Sequence, residues 1–557
     1  MTIDENIICE IQNWKPSQLF SYGTAGFRAR ANLLPPVVFR CGILAAARAL
    51  SVPCVCVGLM ITASHNPSED NGVKIIEPDG SMLDEKWERI ASKLINSENP
   101  REILQELCFE ENVCWTTDSK SIRPAVYVGY DSRESSEPLS RLVEQAVKLM
   151  GLKYKCFGRV TTPQLHYFVK VANEDGIQAN KENYFQRLSM GWDILSQYAF
   201  ADNSESENVF RVVDCANGVG HEAMQDLTHF TKIDNIVCVN TGNGELNKHC
   251  GADFIQKNTV FPIISDPFHI KSIPSNALVH FCSLDGDADR LVYFIPEKTE
   301  YSSLSGSSNQ RVRVLEGDRL SVLAAIVVKK FLDLLQSNLS VGVIQTAYAN
   351  GASTQFLKDL GKPIQVECVS TGVKHLERAA RRYDIGIFWE ANGHGTILFS
   401  ENAKSFLRKI IESTTGQKKN AALCLLALSS IANQATGDAI CNFVLAESLL
   451  KVMGWQDLVS WESLYQDLPN CYKALHVQNK ELIQTTDQER KVTAPHSLSV
   501  VMKNLSESNP SYRFLVRPSG TENIVRLYGE GPSLPTLKCL MEQIETVVLQ
   551  ACGTPES

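Results

Sequence analysis

Short apolar runs closed by Ser, Asn, Gly or Pro recur through roughly the first 400 residues, alternating with stretches whose apolar positions return every three or four residues. Runs of the first kind read as buried strands and the second as amphipathic helices, so their alternation predicts layered α/β domains. Val55 to Ile61 is one such strand, emptying into the tight loop Thr62-Ala63-Ser64-His65-Asn66-Pro67. Val126 to Tyr130 is another; it ends in Asp131-Ser132-Arg133, and helical spacing follows from Glu137 to Met150. After a third strand, Val209 to Asp214, the segment Gly218-Val219-Gly220 imitates a dinucleotide fingerprint but lacks its last glycine, and it reads as a tight βα turn. The last hundred residues change character. Arg513 to Arg517 and Asn523 to Tyr528 alternate as paired strands, and Leu534 to Ala551 has the spacing of an amphipathic helix, which predicts a small α+β domain.

A chain of 557 residues is too long for one hydrophobic core. Breaks in composition near Asn173 to Ile177, in the Ser-rich stretch from Glu297 to Gln310, and near residue 440 divide it into domains at 1–175, 176–297, 298–440 and 441–557. A net charge of −9 argues against nucleic acid or an anionic membrane as the main partner, so an anionic substrate would need a locally basic pocket. The apolar stretch from Cys41 to Ile61 is interrupted by Arg48 and Pro53, and Ala421 to Ala432 is too short for a bilayer core of about 30 Å, so both are expected in protein cores. Met1 to Asn6 has neither the basic nor the apolar part of a secretory signal. The 17 cysteines show no paired metal-ligand spacing; such a set fits free thiols in a reducing compartment, and the expected location is cytoplasmic.

Three stretches carry chemistry. Ser64 is a hydroxyl delivered to the end of a sheet, where ligands of open α/β folds gather. His65 beside it can act as a base or merely orient the loop, and Lys74 can neutralise a phosphate or remain a surface lysine. Asp285-Gly286-Asp287-Ala288-Asp289 places three carboxylates at alternate positions, which in extended backbone share one face and suit a hard cation such as Mg²⁺. An EF-hand begins the same way, but Arg290 and Pro296 stand where its Gly and Glu belong. Arg517-Pro518-Ser519-Gly520-Thr521, with Arg526 on the returning strand, has the composition of an anion clamp. Glu390, Asn392 and His394 alternate in a segment suited to sugar hydroxyls, although a plain hairpin turn explains them nearly as well. No ATP-type P-loop is present. Nucleophile, metal site and phosphate clamp together point to phosphoryl transfer.

Taken in chain order, Tyr22-Gly-Thr-Ala-Gly-Phe-Arg28, Thr62-Ala-Ser-His-Asn-Pro67, Asp285-Gly-Asp-Ala-Asp-Arg290, Thr371-Gly-Val-Lys-His-Leu376, Glu390-Ala-Asn-Gly-His-Gly-Thr396 and Arg517-Pro-Ser-Gly-Thr-Glu522 resemble the motifs of the α-D-phosphohexomutase superfamily. Thr162-Pro-Gln-Leu-His166, Gln345-Thr-Ala-Tyr-Ala-Asn-Gly351 and the Glu390 motif resemble its acetylglucosamine branch. The resemblance implies three similar mixed α/β domains and a smaller α+β C-terminal domain around a central cleft. It further implies a phosphoserine at Ser64, and Mg²⁺ held by Asp285, Asp287, Asp289 and the Ser64 phosphate. Arg28 and Lys74 would flank the phosphoserine. Glu390, Ala391, Asn392 and His394 would meet the sugar, and Arg517, Pro518, Ser519, Gly520, Thr521 and Arg526 would hold the distal phosphate. The implied activity is interconversion of N-acetylglucosamine 6-phosphate and 1-phosphate through a bisphosphate, feeding UDP-N-acetylglucosamine synthesis, with the phosphosugar as partner and no obligatory protein partner. The rivals are a mutase for glucose or mannose phosphate, a serine-dependent phosphatase, and a catalytically silent phosphosugar-binding protein.

Overall fold

A computed structural model describes residues 5–553 apart from 24, 112, 114–123, 175–176, 199–207, 266–269, 271, 298–309 and 520–522. The chain forms two compact units, one of 1–316, 392–396 and 423–458, the other of 317–391, 397–422 and 459–557.

The first unit holds two five-stranded sheets. One comprises β1 (Phe27–Arg30), β2 (Cys56–Ile61), β3 (Asp70–Ile76), β4 (Ala125–Tyr130) and β5 (Lys153–Arg159), in the order β1-β3-β2-β4-β5. The central strand β2 is buried at every position, which is why it appears in the sequence as an unbroken apolar run rather than an alternating one. It lies parallel to β4 and antiparallel to β3. The helix Pro35–Ser51 covers this sheet; it starts with Pro at its first turn and stops ahead of Pro53, as proline geometry requires. The other sheet comprises β6 (Val209–Asp214), β7 (Ile236–Val239), β8 (Leu278–Leu284), β9 (Leu291–Pro296) and β10 (Val312–Leu315), in the order β10-β9-β8-β6-β7. Its β6, β7 and β8 run parallel, and β9 turns back antiparallel on β8 with Leu284 opposite Leu291.

In the second unit a sheet ordered β12-β11-β13-β14 is formed by β11 (Val341–Thr346), β12 (Ile364–Val369), β13 (Ile385–Trp389) and β14 (Gly395–Phe399), the last of which begins in the first unit. Its β11 pairs in parallel with both β12 and β13, as β6 does with β7 and β8. The C-terminal part has a different architecture. There β15 (Asn470–His476), β18 (Arg513–Pro518) and β19 (Ile524–Glu530) form an antiparallel sheet ordered β15-β19-β18, packed with the helices His496–Ser508 and Leu534–Cys552. A small ribbon of β16 (Gln484–Thr486) and β17 (Lys491–Ala494) lies beside it. The architecture is three mixed α/β layers and one α+β terminal layer, as the sequence pattern predicts.

Candidate active site

Strand β2 ends at Ile61, and the chain turns immediately. Ser64 has φ +53°, a left-handed backbone conformation uncommon outside glycine and costing on the order of 1–3 kcal/mol. The surroundings impose it. The Ser64 N–H donates to Thr62 Oγ1 at 2.9 Å, and the Thr62 hydroxyl in turn donates to Asp131 Oδ2 at 2.7 Å. Arg133 Nη2 and Asn247 Nδ2 donate to the Ser64 carbonyl at 3.0 and 2.9 Å. Arg133 is itself buried and paired with Asp131 at 3.0 Å, so the guanidinium works as a fixed brace for the loop.

The three aspartates do not lie in extended backbone. Because β8 and β9 pair up to Leu284 and Leu291, residues 285–290 must form a hairpin connection, and Ala288 takes φ +57° there. The turn still gathers the three carboxylates: oxygens of Asp285, Asp287 and Asp289 lie within 4.8 Å of one another. Ser64 Oγ donates to Asp285 Oδ2 at 2.8 Å, joining two segments that lie far apart in sequence. Thr162, at the start of a helix capped reciprocally by Thr161 and Gln164, donates to Asp287 Oδ2 at 2.6 Å. Ala439, first in the helix Ala439–Met453, donates its N–H to the Ala288 carbonyl at 3.0 Å.

Charge decides what the cluster accepts. Burial and the neighbouring Asp289 and Asp287 push the Asp285 carboxyl well above its usual range. Against burial, His394, Lys74 and Arg290 hold Asp289 well below it. Lys74 Nζ lies 3.5 Å from Asp287 and 3.9 Å from Asp289. Arg28, on β1 and opposite Gly72 of β3, donates to Asn66 Oδ1 at 3.2 Å and feels the field of Asp287. His394 Nδ1 is 3.0 Å from the Asp289 carbonyl, and its own N–H donates to Asn392 Oδ1 at 3.0 Å. Burial, reinforced by Arg290, depresses His65 to about 3, so its ring is neutral at physiological pH. Asp287 Oδ1 and Asp289 Oδ1 are buried with no hydrogen-bond partner. Orphaned carboxylate oxygens of this kind, in an all-oxygen set, fit a hard divalent cation such as Mg²⁺.

The second unit carries the other predicted group. Arg517 and Arg526 face each other across the β18–β19 pair. Arg517 donates from Nε to the Tyr348 hydroxyl at 3.2 Å and from Nη1 to Glu489 Oε1 at 3.1 Å, while Arg526 donates to the Tyr472 hydroxyl at 2.5 Å. Pro518 closes β18, and the Ser519 carbonyl accepts from Lys480 Nζ at 2.6 Å, which adds a third cation. Gly520 and Thr521 lie outside the described residues. Glu390 and Ala391 follow β13 in this unit, and the Ala391 carbonyl accepts from the Gly317 N–H at 3.3 Å. Thus Ser64, Lys74, the three aspartates and His394 come together in one unit, while Arg517, Ser519 and Arg526 come together in the other. The sequence pattern quotes Arg133 at a strand end and Thr162 and Tyr348 within motifs of the acetylglucosamine branch but gives them no role, and it does not single out Asn247, Glu489 or Lys480; nothing local connects any of them to Ser64, Asp287 or Arg517.

Comparison with known proteins gives this geometry a family. Residues 42–102 match phosphoglucomutase/phosphomannomutase alpha/beta/alpha domain I, and residues 479–547 match the C-terminal domain of the same group. Fold and site together define an α-D-phosphohexomutase. Residues 316–455 match phosphoacetylglucosamine mutase AMG1, domain III. Human phosphoacetylglucosamine mutase is 37% identical over 97% of this chain and 96% of its own length. A crystal structure of Aspergillus fumigatus N-acetylphosphoglucosamine mutase in complex with GlcNAc-6P and magnesium superposes with a TM-score of 0.87 at 33% identity, covering 99% of this chain and 100% of that one. A variant of the A. fumigatus enzyme in complex with glucose 1,6-bisphosphate gives 0.85 at 34% identity, covering 99% and 100%. The chain belongs to the phosphoacetylglucosamine mutase family.

Proposed function

We propose that this enzyme interconverts N-acetylglucosamine 6-phosphate and N-acetylglucosamine 1-phosphate, with Ser64 as the phosphoryl carrier, in the supply of UDP-N-acetylglucosamine. The observation that carries the mechanism is the 2.8 Å contact of Ser64 Oγ with Asp285 inside a buried three-carboxylate cluster. In the active form Ser64 bears a phosphate. The free sugar hydroxyl attacks it: the phosphorus–Oγ bond breaks, a phosphorus–sugar oxygen bond forms, and the hydroxyl proton ends on the freed Ser64 Oγ, giving the 1,6-bisphosphate. After reorientation Ser64 Oγ attacks the other phosphorus, that phosphorus–sugar oxygen bond breaks, the Ser64 proton ends on the freed sugar oxygen, and the isomeric monophosphate leaves.

Asp285, Asp287 and Asp289 would hold Mg²⁺, which when bound supplies charge neutralisation at the transferring phosphoryl group. Lys74 and Arg28 add positive charge at the same centre, while Arg133 and Asn247 keep Ser64 in its left-handed turn. Glu390, Ala391, Asn392 and His394 are assigned to the sugar. Arg517, Pro518, Ser519, Gly520, Thr521 and Arg526 are assigned to the phosphate that is not reacting. The four-domain division then gives one part to each domain: phosphoserine loop, metal loop, sugar loop and phosphate clamp. No helix among the described residues is long and apolar enough to cross a membrane. We place the enzyme in the cytosol, where cysteines that form no disulfide, such as Cys41, Cys56 and Cys424, remain reduced.

The test is intact-mass and peptide analysis of the purified protein together with a coupled assay on N-acetylglucosamine phosphates. Phosphate on Ser64 and loss of turnover in a folded Ser64→Ala variant are the expected results. Full turnover in that variant would overturn the mechanism.

A further inference from the structure

A second cluster of ligand-type side chains lies in the first unit, behind the aspartate turn. Cys215 follows β6 directly, Cys238 is in β7, and His221 is the second residue of the helix Gly220–Phe230. A ligand atom from each, Cys215 Sγ, Cys238 Sγ and a ring nitrogen of His221, lies within 4.8 Å of the other two. Edges of about 4 Å are what a tetrahedral site with metal–sulfur distances of about 2.3 Å and metal–nitrogen distances of about 2.0 Å requires. His221 Nδ1 is buried with no hydrogen-bond partner, and the same ring contacts the Cys238 thiol. Cys238 and His221 are only partly buried, so an ion has a way in.

A disulfide is the competing use of two such thiols, and the register disfavours it. Cys238 pairs with Val213, while Cys215 N–H continues the ladder two residues further on by donating to Val239 O at 2.9 Å. The two cysteines are therefore offset along the parallel pair rather than directly opposite, and both are free thiols in this structure.

We propose that Cys215, His221 and Cys238 form a second metal site, distinct from the aspartate cluster, that takes a borderline-soft divalent cation of the Zn²⁺ type with solvent as the fourth ligand. The site is connected to the catalytic turn. Between Cys215 and His221 the Val219 N–H donates to the Gly286 carbonyl at 3.1 Å, and a Cβ on Gly218 would lie 2.4 Å from that same oxygen. An ion holding the two ends of this segment braces the backbone on which Asp285 and Asp287 are displayed.

The test uses Co²⁺ as a spectroscopic substitute, added to the reduced full-length protein with Mg²⁺ in excess so that the aspartates are occupied. One equivalent should give a thiolate-to-cobalt charge-transfer band that Zn²⁺ displaces, and Zn²⁺ should raise the melting temperature. Cys215→Ser and Cys238→Ser should abolish the band. His221→Asn should weaken binding by roughly a hundredfold, since losing even an outer ligand partner costs 10–100-fold. Cys156→Ser, at an exposed cysteine elsewhere, should leave it unchanged. If Cys215→Ser fails to fold, the two partly buried positions carry the test. Absence of the band, a band that survives Cys238→Ser, or unchanged affinity in His221→Asn overturns the proposal.

Discussion

At the residue scale, the chemistry depends on side chains whose charge is set by neighbours. Asp287→Asn removes one negative charge at constant volume and leaves Thr162 a partner oxygen. It should lower mutase turnover at least a hundredfold in a protein that melts normally, and added Mg²⁺ should restore little of it. Chelator-treated enzyme that stays fully active without metal would refute the assignment. Arg517→Ala should cost about 1.5–3 kcal/mol of substrate binding, the usual worth of a hydrogen bond to a charged group. If Arg517 belongs to a clamp for whichever phosphate is not reacting, kcat/KM should fall in both directions of the reaction; loss in one direction alone would contradict the role.

His166 gives a pH prediction. It is fully buried, its Nδ1 lies 2.6 Å from the Gly80 carbonyl, and burial together with Lys74 lowers it to about 4. The unfolded chain, with a histidine near 6.5, binds more protons than the folded one between about pH 6.5 and 4. Stability is therefore complete above about pH 6.5 and is lost as the pH falls toward 4, by on the order of 3 kcal/mol from this group. Denaturant titrations at pH 7 and pH 4.5 should show a smaller difference for His166→Asn than for the parent protein.

At the element scale, helix termini and hairpin turns do the positioning. The helix Ala439–Met453 begins at Asp438, a buried carboxylate that accepts from the Ile440 and Cys441 N–H groups at 3.1 Å each, from Tyr184 at 2.8 Å and from Asn433 at 2.9 Å. Asp438→Ala would strand all four donors, costing about 3 kcal/mol or more, and would loosen the Ala439 N–H that holds the Ala288 carbonyl. The expected outcome is a lower denaturation midpoint together with weaker Mg²⁺ activation. A drop in stability with normal metal dependence would show that the helix only supports the core. Strand order contributes as well: β2 can deliver Ser64 at one end only because it is central, with β3 carrying Lys74 opposite Met60 on one side and β4 leading to Asp131 and Arg133 on the other.

At the scale of the whole molecule, the quantity to measure is the choice of sugar. A site that hydrogen-bonds the acetamide leaves buried polar groups unpaired when glucose phosphate enters, and that penalty is larger than the gain from any extra apolar contact. Catalytic efficiency measured for both sugars under one set of conditions should favour N-acetylglucosamine phosphate clearly, with residual action on glucose phosphate. Equal efficiencies would move the enzyme toward the glucose or mannose mutases while leaving the Ser64 chemistry intact.

The sequence by itself determined the elements that stand out as short apolar runs or as helical repeats. Val209–Asp214 was legible as a strand to the residue, and Arg513–Pro518, Ile524–Glu530 and the terminal helix to within a residue or two, because the strands are short apolar runs closed by polar or turn residues and the helix repeats its apolar positions on one face. It also displayed Ser64, the three aspartates and the paired arginines, since residues of one chemistry crowded into a short loop repel unless something binds them. Extended backbone through Asp285 to Asp289 was the wrong local picture. Antiparallel pairing of β8 with β9 forces a turn there, and pairing is decided by strands brought together from outside the loop. The tertiary structure alone decided that Thr162 holds Asp287 and that Arg133 and Asn247 fix the Ser64 turn; it also brought Ser64 to Asp285, a meeting that the family resemblance implied through a shared Mg²⁺. It alone brought Cys215, His221 and Cys238 together, in a spacing that no metal-binding pattern announces. The physical reason is the same in each case: local propensity extends over a few residues, whereas these contacts join distant segments whose meeting is fixed by packing and sheet order.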